Sequence, residues 1–411
     1  MIFLKIRLHF LPVMAIFTRP MLAESVYNFH IFDGLSLLLT ASLLVLTGIT
    51  ALIWAGGIFL WASRIAKPTR SDYPSVAVIV AARNEEYCIR TCLEALLAQD
   101  YPAGLFEIYL VDDHSTDRTR DIATEIAAGK PGCLHILAAP DCPPDVGPKK
   151  NAIKYAIQQA TSSILLFTDA DCRVPCSWIN SIINQYTDRT GAVAGAVLPK
   201  PRSGIRALLY RFERLLIHYT SASSIGWGSP ASVNGGNLSY RRAAYDQAGG
   251  MKYLEIASGD DDLMIQAIAR CGWDVQFAAG SHTVVEDLRL PTARQHVQAT
   301  IRHQSTAGLY PVHWRLMFLL TIFSAGFFLF CLVLAIFSKI ILAAVIAAFI
   351  LRTVIDGVGL FRFTKKLGIH TPAAGFFFSE ICLPFYLALR PLLTIAPGFS
   401  WRDRMHKKHN V

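Results

Sequence analysis

Val76-Ala77-Val78-Ile79-Val80-Ala81-Ala82-Arg83-Asn84-Glu85-Glu86 is a run of small and β-branched apolar residues that stops on a polar, acidic turn. A short continuous apolar run bounded by turn residues marks a strand buried on both faces, as in a parallel sheet. The pattern recurs twice. Ile108–Val111 leads into Asp112-Asp113-His114-Ser115-Thr116-Asp117, and Ile164–Thr168 leads into Asp169-Ala170-Asp171. Amphipathic stretches at Glu86–Gln99, Arg118–Ala128 and Lys150–Ala160 lie between and beside these runs. Strand and helix in alternation predict an α/β sheet with right-handed crossovers. Ligands of such sheets bind beyond the carboxyl ends of the strands, which is where the acidic residues fall.

Outward from this domain the composition changes. The chain has 411 residues, 53% of them hydrophobic and only 17% charged, against roughly 25% charged in a typical soluble domain. Mean hydropathy is +0.38. Gly34 to Ser63 carries no charge, and about 20 apolar residues suffice to cross a bilayer. Arg64, Lys67 and Arg70 follow at once, which places the end of that helix in the cytoplasm. Leu316 to Ser338 is a second uncharged run. Ile340 to Phe361 is a third, interrupted by Arg352 and Asp356, which share a helix face and are expected as a structural pair in preference to a substrate contact. A fourth, Ala373 to Pro397, holds Glu380, Pro384, Arg390 and Pro391. Three crossings after the central domain would carry the basic tail (Arg402, Arg404, Lys407, Lys408) outside, so one C-terminal segment is expected to be interfacial or re-entrant. The expected organisation is an N-terminal segment over 1–30, signal-like or a mis-assigned start, and a transmembrane helix over 31–64. A cytosolic domain follows over 68–305, then a membrane region of two to three helices over 314–398 and a tail over 399–411. The net charge of +9 fits a cytoplasmic face against anionic lipid. Nine scattered cysteines without a CxxC pair read as reduced thiols in a cytosolic domain.

Any one acidic turn is also a helix cap or an Asx turn; three at successive strand ends point to chemistry. Asp169 and Asp171 suit a hard divalent cation, Mg2+ or Mn2+, bridging a diphosphate. Ser258-Gly259-Asp260-Asp261-Asp262 opens a helical stretch, where carboxylates either cap the helix or act as a general base. Asn234-Gly235-Gly236-Asn237 is a tight turn or a place where backbone approaches a ligand. Lys149 and Lys150 head a helix, where a cation opposes the dipole, so diphosphate contact competes with simple solvation. Tyr210, Arg211, Phe212, Arg214 and Trp227 mix aromatic and basic residues within 201–229; this segment is expected at the membrane face, guiding an acceptor, with a soluble amphipathic helix as the competing reading.

Taken together, Arg83-Asn84-Glu85, Val111-Asp112-Asp113-His114-Ser115-Thr116-Asp117, Asp169-Ala170-Asp171 and Asn234-Gly235-Gly236-Asn237-Leu238 resemble the family 2 glycosyltransferases, in particular bacterial membrane-bound members related to cellulose and hyaluronan synthase-like enzymes. The match runs from about Val76 to Ser305. The resemblance implies a glycosyltransferase A-type, Rossmann-like domain inserted between transmembrane helices. It implies inverting transfer from a nucleotide-diphospho-sugar, with UDP as the default nucleotide. Arg83, Glu85, Asp112, Asp113, Lys150 and Asp169 would hold the nucleotide, and Asp169 and Asp171 the metal. The family's acidic pair maps onto Asp260-Asp261, with Asp261 as base and Asp262 as competitor. Asn234, Gly235, Gly236, Asn237, Arg302 and His303 would face the substrate or acceptor. Two departures stand out. The family's Gly-Lys-x-x-Ala is Gly147-Pro148-Lys149-Lys150-Asn151-Ala152 here. The processive Gln-x-x-Arg-Trp is replaced by Gln298-Ala299-Thr300-Ile301-Arg302-His303, which favours single-sugar transfer over a processive synthase.

Other classes fit less well. A sugar-phosphate nucleotidyltransferase wants a Gly-rich basic loop after the first strand, which Ala81-Ala82-Arg83-Asn84 is not. A transporter with a regulatory nucleotide-binding domain wants polar residues along several spans, and only Arg352, Asp356 and Glu380 qualify. Nucleic-acid binding is not expected, since the central domain has no basic and aromatic stripe. The partners expected are a nucleotide-sugar donor, a lipid or lipid-linked acceptor and the membrane itself, with the protein integral to the inner membrane.

Overall fold

The computed structural model describes residues 34–65, 72–129, 132–142, 146–251, 259, 261–395, 398–401 and 404–407. The signal-like segment, Lys67, Arg70 and Asp260 lie outside them. A long helix α1 (Gly34–Ser63) comes first. The central domain follows as β1 (Val76–Ala82), α2 (Ile89–Leu97), β2 (Phe106–Asp112), α3 (Thr119–Ala128), β3 (Leu134–Ala138), α4 (Pro148–Gln159) and β4 (Ile164–Phe167). It continues through β5 (Cys172–Arg173), α5 (Trp178–Ile183), β6 (Thr190–Ala194), β7 (Val197–Pro199), α6 (Ile205–Gly226), β8 (Leu238–Arg241), α7 (Arg242–Gln247) and α8 (Asp262–Arg270). It closes with β9 (Asp274–Phe277), β10 (Val285–Asp287) and α9 (Ala293–Gln304). Then come α10 (Val312–Leu334), α11 (Lys339–Leu367), α12 (Ala373–Leu389) and a hairpin of β11 (Gly398–Trp401) and β12 (Arg404–Lys407).

The main sheet has the order β3-β2-β1-β4-β8-β6-β9. The three strands expected from the sequence are there and parallel: β1 pairs with β2 in the register Ala82↔Asp112 and with β4 in the register Ile79↔Phe167. Their carboxyl ends therefore share one edge. The order reverses between β1 and β4, so that edge is a topological switch point. β8 inserts antiparallel to both β4 and β6, which makes the sheet mixed. No local pattern marked β3 or β8 as strands.

β1 shows why the fold forms. Val76, Val78, Val80 and Ala82 face a core built with Ile89, Cys92, Leu93 and Leu96 of α2. Ala77 and Ile79 face a second core with Ala152, Ile153, Ala156 and Ile157 of α4. A strand alternates sides every residue, so burial on both faces demands an unbroken apolar run. The i, i+3, i+4, i+7 spacing on α2 supplies the complementary stripe.

The second core does not stop at the domain. It takes in Trp54, Ile58 and Trp61 of α1, Trp314 of α10 and Phe363 of α11. Trp61 donates to the Phe277 carbonyl at 2.8 Å, and Ser223 of α6 to the Trp54 carbonyl at 2.7 Å. At the α1–α6 crossing the backbones touch: a methyl group built on Gly226 would lie 1.9 Å from the Gly57 carbonyl oxygen. Small residues permit this approach, as in membrane helix pairs.

Four helices, Gly34–Ser63, Val312–Leu334, Lys339–Leu367 and Ala373–Leu392, are long and apolar enough to cross a membrane. Leu319, Phe323, Ile350 and Val354 stand exposed on them, a surface that water-soluble domains avoid. Arg352 and Asp356 pair at 3.1 Å as expected, and Glu380 joins at 3.7 Å. α11 returns to the central domain, where Gly280 N–H donates to the Lys366 carbonyl at 2.9 Å. α12 meets α6 at both ends. Gly375 abuts Phe212 and Leu208, and Tyr386 Oη donates to Glu213 at 2.5 Å.

Replacing Gly226 by Val should break the α1–α6 contact and cost roughly 1–3 kcal/mol, read as a lower melting temperature in detergent. Gly326→Val, at a site with nothing within 4 Å of the added Cβ, is the control; equal losses would mean that the crossing carries no special weight.

Candidate active site

The turns after β1 and β2 are stitched together. Arg83 Nη1 donates to the Asp113 carbonyl at 2.7 Å, Asn84 N–H to Ser115 Oγ at 3.1 Å, and Thr116 N–H to Asn84 Oδ1 at 2.9 Å. Asn84 and His114 both adopt left-handed backbone, with φ of 53° and 57°. Such conformations are rare outside glycine and concentrate at functional turns. Asp112 and Asp113 are buried; Asp112 accepts from Ser115 N–H at 3.3 Å, and Asp113 Oδ1 lies 3.2 Å from His114 Nδ1.

Glu85, also buried, is ion-paired with Arg289, whose Nε lies 3.8 Å from Asp171 Oδ2. Arg289 is a residue that the sequence reading missed. It follows β10, which runs in a small sheet ordered β5-β10-β7 and pairs Asp287 with Cys172. That register also brings Asp287 beside Asp171. An acidic pair, Glu286-Asp287, straight after Val284-Val285 was the available signal.

Asp169, Asp171 and Cys172 place ligand atoms within 4.8 Å of one another. Burial, then the charges of Asp169 and Asp287, push Asp171 up to about 7. Burial alone would raise Asp169 too, but the Lys149 ammonium at 2.7 Å, with the charges of Arg302 and Arg214, holds it below the usual range. Burial and the neighbouring aspartates drive the Cys172 thiol well above its normal value. Of the two carboxylates, Asp171 is the less offset, raised by burial and by its acidic neighbours despite Arg289 and Lys149. A hard divalent cation with oxygen preference fits that donor set. The lysine that reaches Asp169 is Lys149; Lys150, expected as the nucleotide contact, is buried on α4.

Asn234-Gly235-Gly236 lies between two carboxylates. A methyl group on Gly235 would sit 3.3 Å from Asp261 Oδ2, and one on Gly236 would sit 2.8 Å from Asp169 Oδ2. Neither glycine has positive φ, so closeness rather than backbone freedom requires them. Asp261 Oδ2 accepts from Gly235 N–H at 2.9 Å and Oδ1 from Asp262 N–H at 2.8 Å. Asn234 Oδ1 closes the turn on Gly236 N–H at 2.8 Å.

Two expected site residues turn out to be internal struts. Asn237 donates to the Ala196 and Thr283 carbonyls at 2.9 and 2.7 Å and accepts from Trp178 Nε1 at 3.1 Å. Its side chain is therefore spent on tying β8 to its neighbours. Asp262 accepts from Val233 N–H at 2.7 Å and from the Tyr310 hydroxyl, and is 3% exposed. Neither oxygen of Asp262 is open to an incoming hydroxyl, whereas Asp261 faces the glycine turn. Asp260 lies outside the described residues. Arg302 ends α9 and acts electrostatically on Asp169; His303, beside it, is held well below the usual imidazole range by burial and by Arg302, Arg214, Arg390 and Lys149.

Residues 77–249 match the family model described as Glycosyl transferase family 2. The central domain belongs to that family. A beta-monoglucosyldiacylglycerol synthase of Synechocystis sp. is 27% identical over 235 residues, covering 52% of this chain and 48% of that protein. An N-acetylglucosaminyltransferase of Mesorhizobium japonicum is 27% identical over 244 residues, 56% of each. The chain thus spans about half the length of the curated relatives it matches. A mannosyltransferase of Pyrobaculum calidifontis, solved in complex with GDP-Man and Mn2+, superposes with a TM-score of 0.51 at 18% identity, over 86% of this chain and 99% of that one. This is a likeness of fold, and it agrees with the glycosyltransferase A-type architecture.

In this glycosyltransferase domain, Asp262→Ala should strand the Tyr310 hydroxyl and the Val233 amide and cost roughly 1–3 kcal/mol of stability. Asp261→Asn should cost clearly less. Equal thermal losses for the two variants would undo the distinction between strut and site.

Proposed function

We propose that the protein transfers a single sugar, with inversion, from a nucleotide-diphospho-sugar to a lipid-linked acceptor at the membrane. One observation carries this reading: a bare two-glycine turn stands between Asp261 and Asp169, with a carboxylate fit to take a proton on one side and a carboxylate fit to hold a cation on the other. In the proposed step, Asp261 removes the proton from the acceptor hydroxyl as its oxygen attacks the anomeric carbon, and the bond from that carbon to the diphosphate breaks on the far side. Lys149 and Arg302 stand where they offset the leaving diphosphate's charge. Asp169 and Asp171 would hold Mg2+ or Mn2+, which when bound neutralises that same charge. Glu85, Asp112, Asp113 and Arg83 would shape the nucleoside pocket; Arg289 would yield Glu85 to it.

The lipid acceptor is supported by the shared core of domain and membrane helices, and by a relative named for diacylglycerol. The cytosolic orientation is supported by the basic residues after α1. On this reading α1, α10 and α11 cross the inner membrane, and α12, which meets α6 at both ends and reaches Arg352 of α11 through Glu380, is re-entrant from the catalytic side. The basic tail then stays in the cytoplasm.

Release of nucleoside diphosphate from a panel of nucleotide sugars tests the reaction. Turnover of one donor should need Mn2+ or Mg2+ and vanish with EDTA. Asp261→Asn should lower kcat by roughly 10²–10⁴-fold while nucleotide binding persists. Full activity in Asp261→Asn would remove it as the base. For topology, a membrane-impermeant maleimide applied to intact cells should label Ser338→Cys, at the α10–α11 turn, and spare His370→Cys, between α11 and α12; the reverse pattern would invert the orientation.

A further inference from the structure

One polar cluster sits among the apolar helices and takes no part in the transfer chemistry. Arg352 of α11 donates through Nε to Asp356 at 3.1 Å and lies 3.7 Å from Glu380 Oε2 of α12. Glu380 is 2% exposed, and its Oε2 accepts no hydrogen bond among the described residues. Tyr219 of α6 closes the cluster from a third side. Its ring stands edge-on to Phe363 at 5.9 Å. A methyl group built on Gly359, one turn after Asp356, would lie 2.3 Å from its Oη, so the hydroxyl rests against α11. That hydroxyl belongs to a side chain 4% exposed and has no hydrogen-bond partner among the described residues. Asp356 and Glu380 are the charges that act on it. Thr353, one turn before Asp356, and Ser379, next to Glu380, are buried with hydroxyls in the same condition.

The charges here do not balance. Arg352 is the cation acting on Asp356, and Glu380 feels Arg352 and Asp356. One guanidinium therefore serves two carboxylates, with no further charged group acting on either among the described residues. Buried charges are paired or hold a metal ion, and buried polar atoms need hydrogen-bond or ligand partners. A proton on Glu380 would remove the surplus charge but leave the hydroxyls of Tyr219, Thr353 and Ser379 as they are. A water molecule would partner hydroxyls but leave the charge. A divalent ion would overshoot the surplus by one charge. A monovalent metal cation cancels it and takes carboxylate and hydroxyl oxygens as ligands, the donors that hard cations prefer.

We infer that Asp356, Glu380 and Tyr219 bind one monovalent metal cation, Na+ or K+, where α6, α11 and α12 meet. Thr353 and Ser379 flank the site. The ion joins a helix of the catalytic domain to the re-entrant helix and to its neighbour, so its binding stabilises that junction. The site shares no residue with the Asp169 and Asp171 pair, and the inference does not depend on the transfer reaction.

The test is thermal unfolding of the full chain in detergent with EDTA, in NaCl, KCl or choline chloride at equal ionic strength. EDTA keeps divalent ions from Asp169 and Asp171. Na+ or K+ should raise the melting temperature by about 3 °C or more over choline, as an ion that binds only the folded state does once it far exceeds its dissociation constant. Glu380→Gln leaves the Arg352–Asp356 pair in place and should abolish the rise. Its melting temperature in choline should be no lower than that of the unaltered chain, which also shows that it folds. Tyr219→Phe keeps the ring against Phe363 and should need about tenfold more salt for the same rise, as expected for one lost oxygen ligand. Equal melting in all three salts would overturn the inference, because a proton or water would then suffice. A rise that survives in full in either variant would overturn it too, since the ion would sit elsewhere. No donor or acceptor enters the measurement, so the transferase reading stands or falls apart from it.

Discussion

Parallel pairing of β1 with both β2 and β4 forces three acidic turns onto one edge of a sheet, and like charges held that close must be offset. Much of the site answers to this constraint. Lys149 comes from the head of α4, against the helix dipole, to reach Asp169. Arg289 comes from beyond β10 to meet Glu85 and Asp171. Asp171 is still left raised by burial and by Asp169 and Asp287. The negative charge gathered there would repel a diphosphate unless a cation offset it.

The second organising fact is that domain and membrane helices share a core. Trp61 packs on Phe277 and Phe363, and Trp54 stacks on Trp314 at 5.6 Å. The glycine contact of α1 with α6 allows no slack between the two parts. Close-packed interiors of this kind transmit position rather than absorb it. The central domain is therefore held in a set position against the apolar helices, and α6 packs on both.

Much of this was legible in the chain. Unbroken β-branched runs marked β1, β2 and β4, because a strand buried on both faces tolerates no polar residue. The acidic turns marked the functional edge for the same reason in reverse. Arg352 and Asp356 announced their pairing through helical spacing. Asp261 and Asp262, by contrast, read alike, since both stand at the start of one helix; only the positions of Gly235, Val233 and Tyr310 separate them. Asn237 read as a ligand contact because a polar residue after two glycines has no local mark of being a strut.

Local pattern thus determined the elements, the edge on which chemistry collects and the apolar segments. These depend on period and composition within a few residues. Tertiary structure alone decided the antiparallel insertion of β8, the reach of Arg289 to Glu85 and the meeting of Glu213, His296 and Tyr386. Those contacts join residues far apart in the chain, and their geometry is set by how whole layers pack, which no short stretch of sequence encodes.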